Sequence, residues 1–120
     1  AEDNLINARS MTVILGRMGH LVTTAENGLQ ALEQWRSADW DCILMDLQMP
    51  VLDGIEATRM IRQEEQQRGE HTAVIALTAH ALRGDRERIL AEGFDDYIAK
   101  PVDISLLLET LALVPPKEQR

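Results

Sequence analysis

Four short apolar runs punctuate the chain. Leu21-Val22-Thr23-Thr24-Ala25, Cys42-Ile43-Leu44-Met45, Ala73-Val74-Ile75-Ala76-Leu77 and Tyr97-Ile98-Ala99 are apolar or β-branched and end at polar residues or at Lys-Pro. That pattern predicts strands buried on both faces. Between them, apolar residues recur at three or four positions: Leu5, Ala8, Met11, Leu15 and Met18; Leu29, Leu32 and Trp35; Leu52, Ile55 and Ile61; Ile89, Leu90 and Phe94; Leu107, Leu108 and Leu111. Each set predicts one buried helix face. Strands alternating with helices require right-handed crossovers, so the expected fold is α/β, a parallel sheet with helices on both faces in a doubly wound domain. Asn27-Gly28 breaks the chain before the second helix, Gly69 and Gly93 stand where the third and fourth close, and Asp103 is placed to cap the last.

A chain of 120 residues with no long Pro, Gly or Ser tract reads as one domain over 1–114, with 115–120 as a linker or tail. No internal repeat or low-complexity segment is visible. The formal net charge of −8 argues against direct contact with nucleic acid, whose phosphates would repel such a surface. The only aromatic residues are Trp35, Trp40, Phe94 and Tyr97, too few to form a stacking platform for bases. No apolar run reaches transmembrane length and no secretory signal is present, so a cytoplasmic domain without membrane contact of its own is expected. The single Cys42 lies inside an apolar run, where it reads as a small core residue.

The polar residues that follow these runs carry the chemistry. Ligands gather at the carboxyl ends of parallel strands, and Glu2, Asp3 and Asp46 would converge there. Three carboxylates that close repel one another unless a cation joins them, and a hard divalent ion such as Mg²⁺ suits oxygen donors. Asp3 and Asp46 would bind it directly, the backbone carbonyl of Gln48 could add a third oxygen, and Glu2 could act through water. Asp46 is then a nucleophile able to take up a phosphoryl group, provided the charge on the transferring oxygens is neutralised. Lys100, held by Pro101, would place a point charge on one phosphoryl oxygen, and the Thr78 hydroxyl would donate to another. Taken singly, Glu2-Asp3 could be a solvated terminus, Lys100 a solvated lysine and Thr78 a β-branched strand end. Their occurrence together at successive strand ends is what points to a phosphoacceptor site.

The stretches Glu2-Asp3-Asn4, Asp46-Leu47-Gln48-Met49-Pro50-Val51-Leu52-Asp53-Gly54, Thr78 and Tyr97-Ile98-Ala99-Lys100-Pro101 resemble the receiver domain of two-component response regulators over essentially the whole chain. The resemblance implies a flavodoxin-like, five-stranded parallel sheet in order 2-1-3-4-5. It implies transfer of a phosphoryl group from a phosphohistidine to Asp46, then hydrolysis or onward transfer, in a domain that is not a classical enzyme by itself. Thr78 matches the switch hydroxyl, Tyr97 the switch aromatic, and Lys100 the lysine before a cis proline, Pro101; Pro50 and Gly54 belong to the loop after the phosphoacceptor and read as structural. Phosphorylation adds about −1.5 to −2 charge, which would draw Thr78 inward and let Tyr97 turn toward the core. Gln48 and His80 match positions flanking the path of the hydrolytic water and are expected to tune the lifetime of the aspartyl phosphate. His20 and His71 read as solvated.

The segments around Asp46, Ala76-Leu77-Thr78-Ala79-His80-Ala81-Leu82 and Asp95-Asp96-Tyr97 are most similar to receivers of hybrid sensor histidine kinases, where a histidine phosphotransfer domain takes the phosphoryl group onward. A receiver of a stand-alone or DNA-binding regulator is the alternative; the final helix, which carries no Arg or Lys over 104–111, argues against it. The expected partners are therefore the histidine-bearing dimerisation helices of a kinase and a histidine phosphotransfer domain. The first helix would dock on the former, with Asn7, Arg9 and Arg17 facing outward, while the Arg83–Arg88 stretch reads as a solvated helix face. A haloacid-dehalogenase-like phosphatase would carry a second acid two residues after its nucleophile, where this chain has Gln48, and a pseudo-receiver would lack an acid, the phosphoacceptor or the lysine. The family's first strand, an apolar run before the acidic pair, is not in this sequence. Its place is central, so the expectation is that the native protein has it or that another segment takes its place.

Overall fold

The computed structural model describes residues 1–2, 4–49, 51–79 and 85–114. The elements run α1 (Leu5–Arg17), α2 (Gly28–Ser37), β1 (Cys42–Asp46), α3 (Gly54–Arg68), β2 (Ala73–Thr78), α4 (Asp85–Ala91), β3 (Asp96–Ala99) and α5 (Ile104–Ala112). Side-chain caps set the helix starts: Asn4, Asn27, Asp53 and Asp103 each accept a hydrogen bond from the first turn. Gly69, at a φ of 68°, ends α3 in the left-handed conformation that glycine adopts without cost.

The described strands form a parallel sheet in the order β1-β2-β3, with Cys42 opposite Ala73 and Ile75 opposite Asp96. The central strand β2 is buried along its length, and its side chains alternate between two cores. Val74 and Ala76 point into a cluster with Leu32 and Trp35 of α2, Ala57 and Ile61 of α3, and Ile89 of α4. Ile75 and Leu77 point the other way, to Leu15 of α1 and Leu107 of α5. Helices thus cover both faces, as the doubly wound reading requires. Each fully buried aliphatic side chain contributes about 1.5–3 kcal/mol, and β2 supplies several, so this strand anchors the ends that carry the site.

One predicted strand is only partly visible. Leu21–Ala25 forms no ladder among the described residues, and Leu21 is fully exposed. A strand needs a paired neighbour, and among the described residues the backbone this segment meets in that sense is Glu2, whose N–H donates to the Ala25 carbonyl at 2.9 Å. Beside it lies a cavity of about 1030 Å³ lined by Met11, Leu15, Val22, Ile43 and Leu44 among others. Ala1 lines it: its nitrogen donates to the Leu44 carbonyl at 2.6 Å, and its carbonyl accepts from Asp46 N–H at 3.1 Å. Ala1-Glu2 therefore lies between Ala25 and β1, which brings Glu2 beside the end of β1.

Candidate functional site

Asp46 is the last residue of β1 and Thr78 the last of β2, and Lys100 follows directly on β3. The parallel register sets these three ends side by side, and Lys100 N–H donates to the Thr78 carbonyl at 2.7 Å. The Lys100-Pro101 peptide is cis, as the resemblance implies. The loop after Asp46 is pinned by Leu47 N–H to the Leu77 carbonyl and by Gly54 N–H to the Leu47 carbonyl, both at 3.2 Å. Gly54 has no room for a side chain, since a Cβ there would run into the Asp46 carbonyl and the Met45 side chain. That explains glycine at the first position of α3.

The charged groups meet over these strand ends. Lys100 Nζ donates to Asp46 Oδ2 at 2.6 Å and lies 3.4 Å from Glu2 Oε2. Asp46 Oδ1 accepts the Gln48 backbone N–H at 3.0 Å, and Glu2 Oε1 accepts the Asn7 side-chain amide at 3.0 Å. Asp46, Thr78 and Glu2 are all buried, yet each lines an open cleft of about 920 Å³ together with Gln48 and Lys100. The cleft continues over Met49, Ile89 and Phe94 toward Arg88. A small charged ligand can therefore reach the Asp46 carboxylate from solvent.

Electrostatics separate the two acids. Burial pushes the Glu2 carboxyl up, and the hydrogen bond it shares with Asp46 adds to this; Asn7 and Lys100 offset only part, so Glu2 sits above its usual 4.5. Burial also acts to raise Asp46, but its hydrogen bonds with Glu2, Lys100 and the Gln48 N–H outweigh burial and hold it below its usual 3.8. Lys100 is lowered by burial and raised more by Asp46 and Glu2, ending above 10.5. Asp46 is thus the more acidic of the two and is ionised at neutral pH, as a nucleophile must be.

The structure brings together Glu2, Asp46, Gln48, Thr78 and Lys100. Tyr97 of β3 does not line the cleft; it pairs with Ala76 of β2 and packs half-buried against the α2–α3–α4 core. Asp3, Pro50 and His80 lie outside the described residues, as do residues 81–84 and 115–120. His20 is exposed as expected, whereas His71, though exposed, places Nε2 2.7 Å from Asp95 Oδ1. Asn7 is exposed, as expected of an outward-facing residue, yet its amide donates to Glu2, a contact that helix periodicity does not reveal. Among the described residues no group of three acidic, His or Cys side chains is placed to hold a metal. The donors present, two buried carboxylates, are nevertheless the hard oxygen set that Mg²⁺ takes, and Lys100 is the cation that now lies between them.

Comparison with known proteins gives a consistent answer. A family profile for the response regulator receiver domain matches residues 1–112. A hybrid signal transduction histidine kinase I from Dictyostelium discoideum is 45% identical over 92% of this chain, and the chain spans only 7% of that protein's length. The receiver domain of sensor histidine kinase PA1611 from Pseudomonas aeruginosa, solved with a magnesium ion coordinated in its active-site cleft, superposes with a TM-score of 0.84 at 42% identity, covering 95% of this chain and 92% of that one. The Ssk1 receiver domain of Saccharomyces cerevisiae, solved together with the histidine phosphotransfer protein Ypd1, reaches 0.88 at 34% identity, covering 92% of this chain and 82% of that one.

Proposed function

The chain belongs to the response regulator receiver-domain family, and from that premise we propose that Asp46 is its phosphoacceptor in an Mg²⁺-dependent phosphorelay. The observation that carries the assignment is the contact of Lys100 Nζ with Asp46 Oδ2 at 2.6 Å, at the open end of a parallel sheet and beside Thr78. An Asp46 oxygen attacks the phosphorus of a phosphohistidine; the P–N bond breaks and its electron pair stays on the imidazole. Lys100 stabilises one phosphoryl oxygen by charge, and the Thr78 hydroxyl donates to another. Glu2, Asp46, the Gln48 carbonyl and Asp3 would hold Mg²⁺, which when bound neutralises charge on the transferring oxygens. As Thr78 is drawn to the new phosphoryl group, Tyr97 turns further toward the core, coupling the site to the β3 face. Water then attacks the aspartyl phosphate, with Gln48 and His80 flanking its approach, or the group moves on.

The partners that fit are the phosphohistidine helices of a sensor kinase upstream and a histidine phosphotransfer domain downstream. The likeness to hybrid-kinase receivers and to a receiver solved with such a phosphotransfer protein supports this reading. Among the described residues no helix is long and apolar enough to cross a membrane. Intact-mass measurement of phosphoryl uptake from acetyl phosphate or phosphoramidate, with and without Mg²⁺, tests the proposal. Metal-dependent uptake that Asp46→Asn abolishes is the expected result. Uptake by the folded Asp46→Asn protein, or none by the folded wild type, would overturn it.

A further inference from the structure

We propose that Asn7 is a positioning residue that presents the Glu2 carboxylate to the divalent cation and thereby sets the metal affinity of the site. This inference rests on the Mg²⁺-dependent reading above. Asn4 starts the chain of contacts: with extended backbone, its Oδ1 accepts the N–H groups of Ile6 and Asn7 at 3.0 and 3.1 Å and fixes the first turn of α1. Asn7 then occupies the third helical position, where a Glu or Gln commonly reaches back to the capping residue's own N–H. The shorter Asn side chain instead passes the cap and donates Nδ2 to Glu2 Oε1 at 3.0 Å. Glu2 Oε2 is left facing Lys100 Nζ at 3.4 Å and the Asp46 side.

The two oxygens of Glu2 are therefore held by unlike donors. Glu2 is 9% exposed, so its orientation depends on these two partners rather than on water. With the amide removed, the carboxylate can swing fully onto Lys100, closing an ion pair that a metal would have to break. A neutral amide also suits the task better than a cation would, because it orients the acid without cancelling the negative charge that attracts Mg²⁺. Residues that orient metal-binding groups typically shift affinity by about 10–100-fold when removed. Asn7 acts on an acid that would reach the ion through water, so a loss below that range, about threefold to tenfold, is expected.

The test is isothermal titration of the whole chain with Mg²⁺ in a double-mutant cycle of Asn7→Ala and Glu2→Gln, with thermal melts in the absence of metal alongside. Alanine favours a helix, so Asn7→Ala should fold and melt close to wild type without metal. The expected result is Mg²⁺ binding at least about threefold weaker in Asn7→Ala than in wild type, and no further loss from Asn7→Ala once Glu2 is Gln. Wild-type-like affinity in Asn7→Ala, or the same loss in both backgrounds, would overturn the positioning role while leaving the phosphoacceptor reading intact. No Mg²⁺ binding by the folded wild type would instead sink both.

Discussion

Lys100 Nζ reaches Asp46 Oδ2 at 2.6 Å although the strands that carry them are not neighbours. The lysine follows β3 and crosses the end of β2 to meet the last residue of β1, so one ion pair ties all three described strands together at the site. Burial lowers the Lys100 pKa, but Asp46 and then Glu2 raise it above 10.5. A base whose folded pKa is raised contributes stability that is fully present below 10.5 and is lost as pH rises through the folded value. Wild type is expected to exceed Lys100→Met in urea midpoint by a constant margin from neutrality to that pH, with the margin shrinking above it. A margin indifferent to alkali would contradict the pairing.

The two acids titrate with opposite consequences. Glu2 is raised above 4.5 by burial and by Asp46, so its contribution is fully present below that pH and is lost as pH rises through the folded value. Asp46 is held below 3.8, so its contribution is present above that pH and is lost as pH falls through the folded value. Without metal, Glu2→Gln is therefore expected to be more stable than wild type at neutral pH and to lose that advantage as the solution is acidified below 4.5. Mg²⁺ is expected to narrow or reverse the neutral-pH ranking, because it binds wild type more tightly than Glu2→Gln and so stabilises it more. Thermal melts at several pH values, with and without Mg²⁺, check both statements; a Glu2→Gln advantage that grows in acid would refute the assignment.

Gly54 stands where α3 begins against the carbonyl of Asp46, and its Cβ position is already filled by that backbone and by Met45. Gly54→Ala must displace the phosphoacceptor strand end or the helix. Overpacking of this kind costs about 1–3 kcal/mol, larger than the helix propensity alanine gains, about 1 kcal/mol. The expected outcome is a lower urea midpoint and slower phosphoryl uptake together. A variant that gains stability would show that the close approach is not a constraint.

Much of this was legible in the chain because the signals are local. β1, β2 and β3 are runs of branched apolar residues, and Asp46, Thr78 and Lys100 could be placed because each stands at or just past the end of such a run. Asp103 and Gly69 punctuate their helices as residues of their type do. Leu21–Ala25 has the same composition as the strands, but among the described residues it meets only the backbone of Glu2. Asn7 reads as one more polar residue on α1, since its partner Glu2 is brought to it by the backbone of Ala1 and Ala25. Arg62 is the clearest loss: three residues before Glu65, it resembles an ordinary surface pair on α3.

In the structure Arg62 is a clamp at the end of the sheet opposite the site. Its guanidinium donates to the carbonyls of Gly93 and Thr72, each at 2.8 Å, to Glu65 Oε1 at 2.6 Å and to Asp95 Oδ2 at 2.8 Å. Asp95 Oδ2 also accepts Val74 N–H at 2.8 Å, and Glu65, only 4% exposed, accepts Thr72 N–H through its other oxygen. One cation thus serves two carboxylates and joins α3 to the starts of β2 and β3. Removing it leaves Glu65 a buried charge without its partner, which costs about 3–5 kcal/mol. Arg62→Met is expected to lower the unfolding free energy by about that amount, while Arg62→Met in a Glu65→Gln background costs distinctly less, because the orphaned charge has gone. Urea denaturation of the four proteins in the cycle measures the coupling, and phosphoryl uptake by the folded Arg62→Met protein should match wild type because the site lies at the other ends of these strands. Additive effects in the cycle would mean that the ion pair is incidental and that the arginine acts only through the two carbonyls.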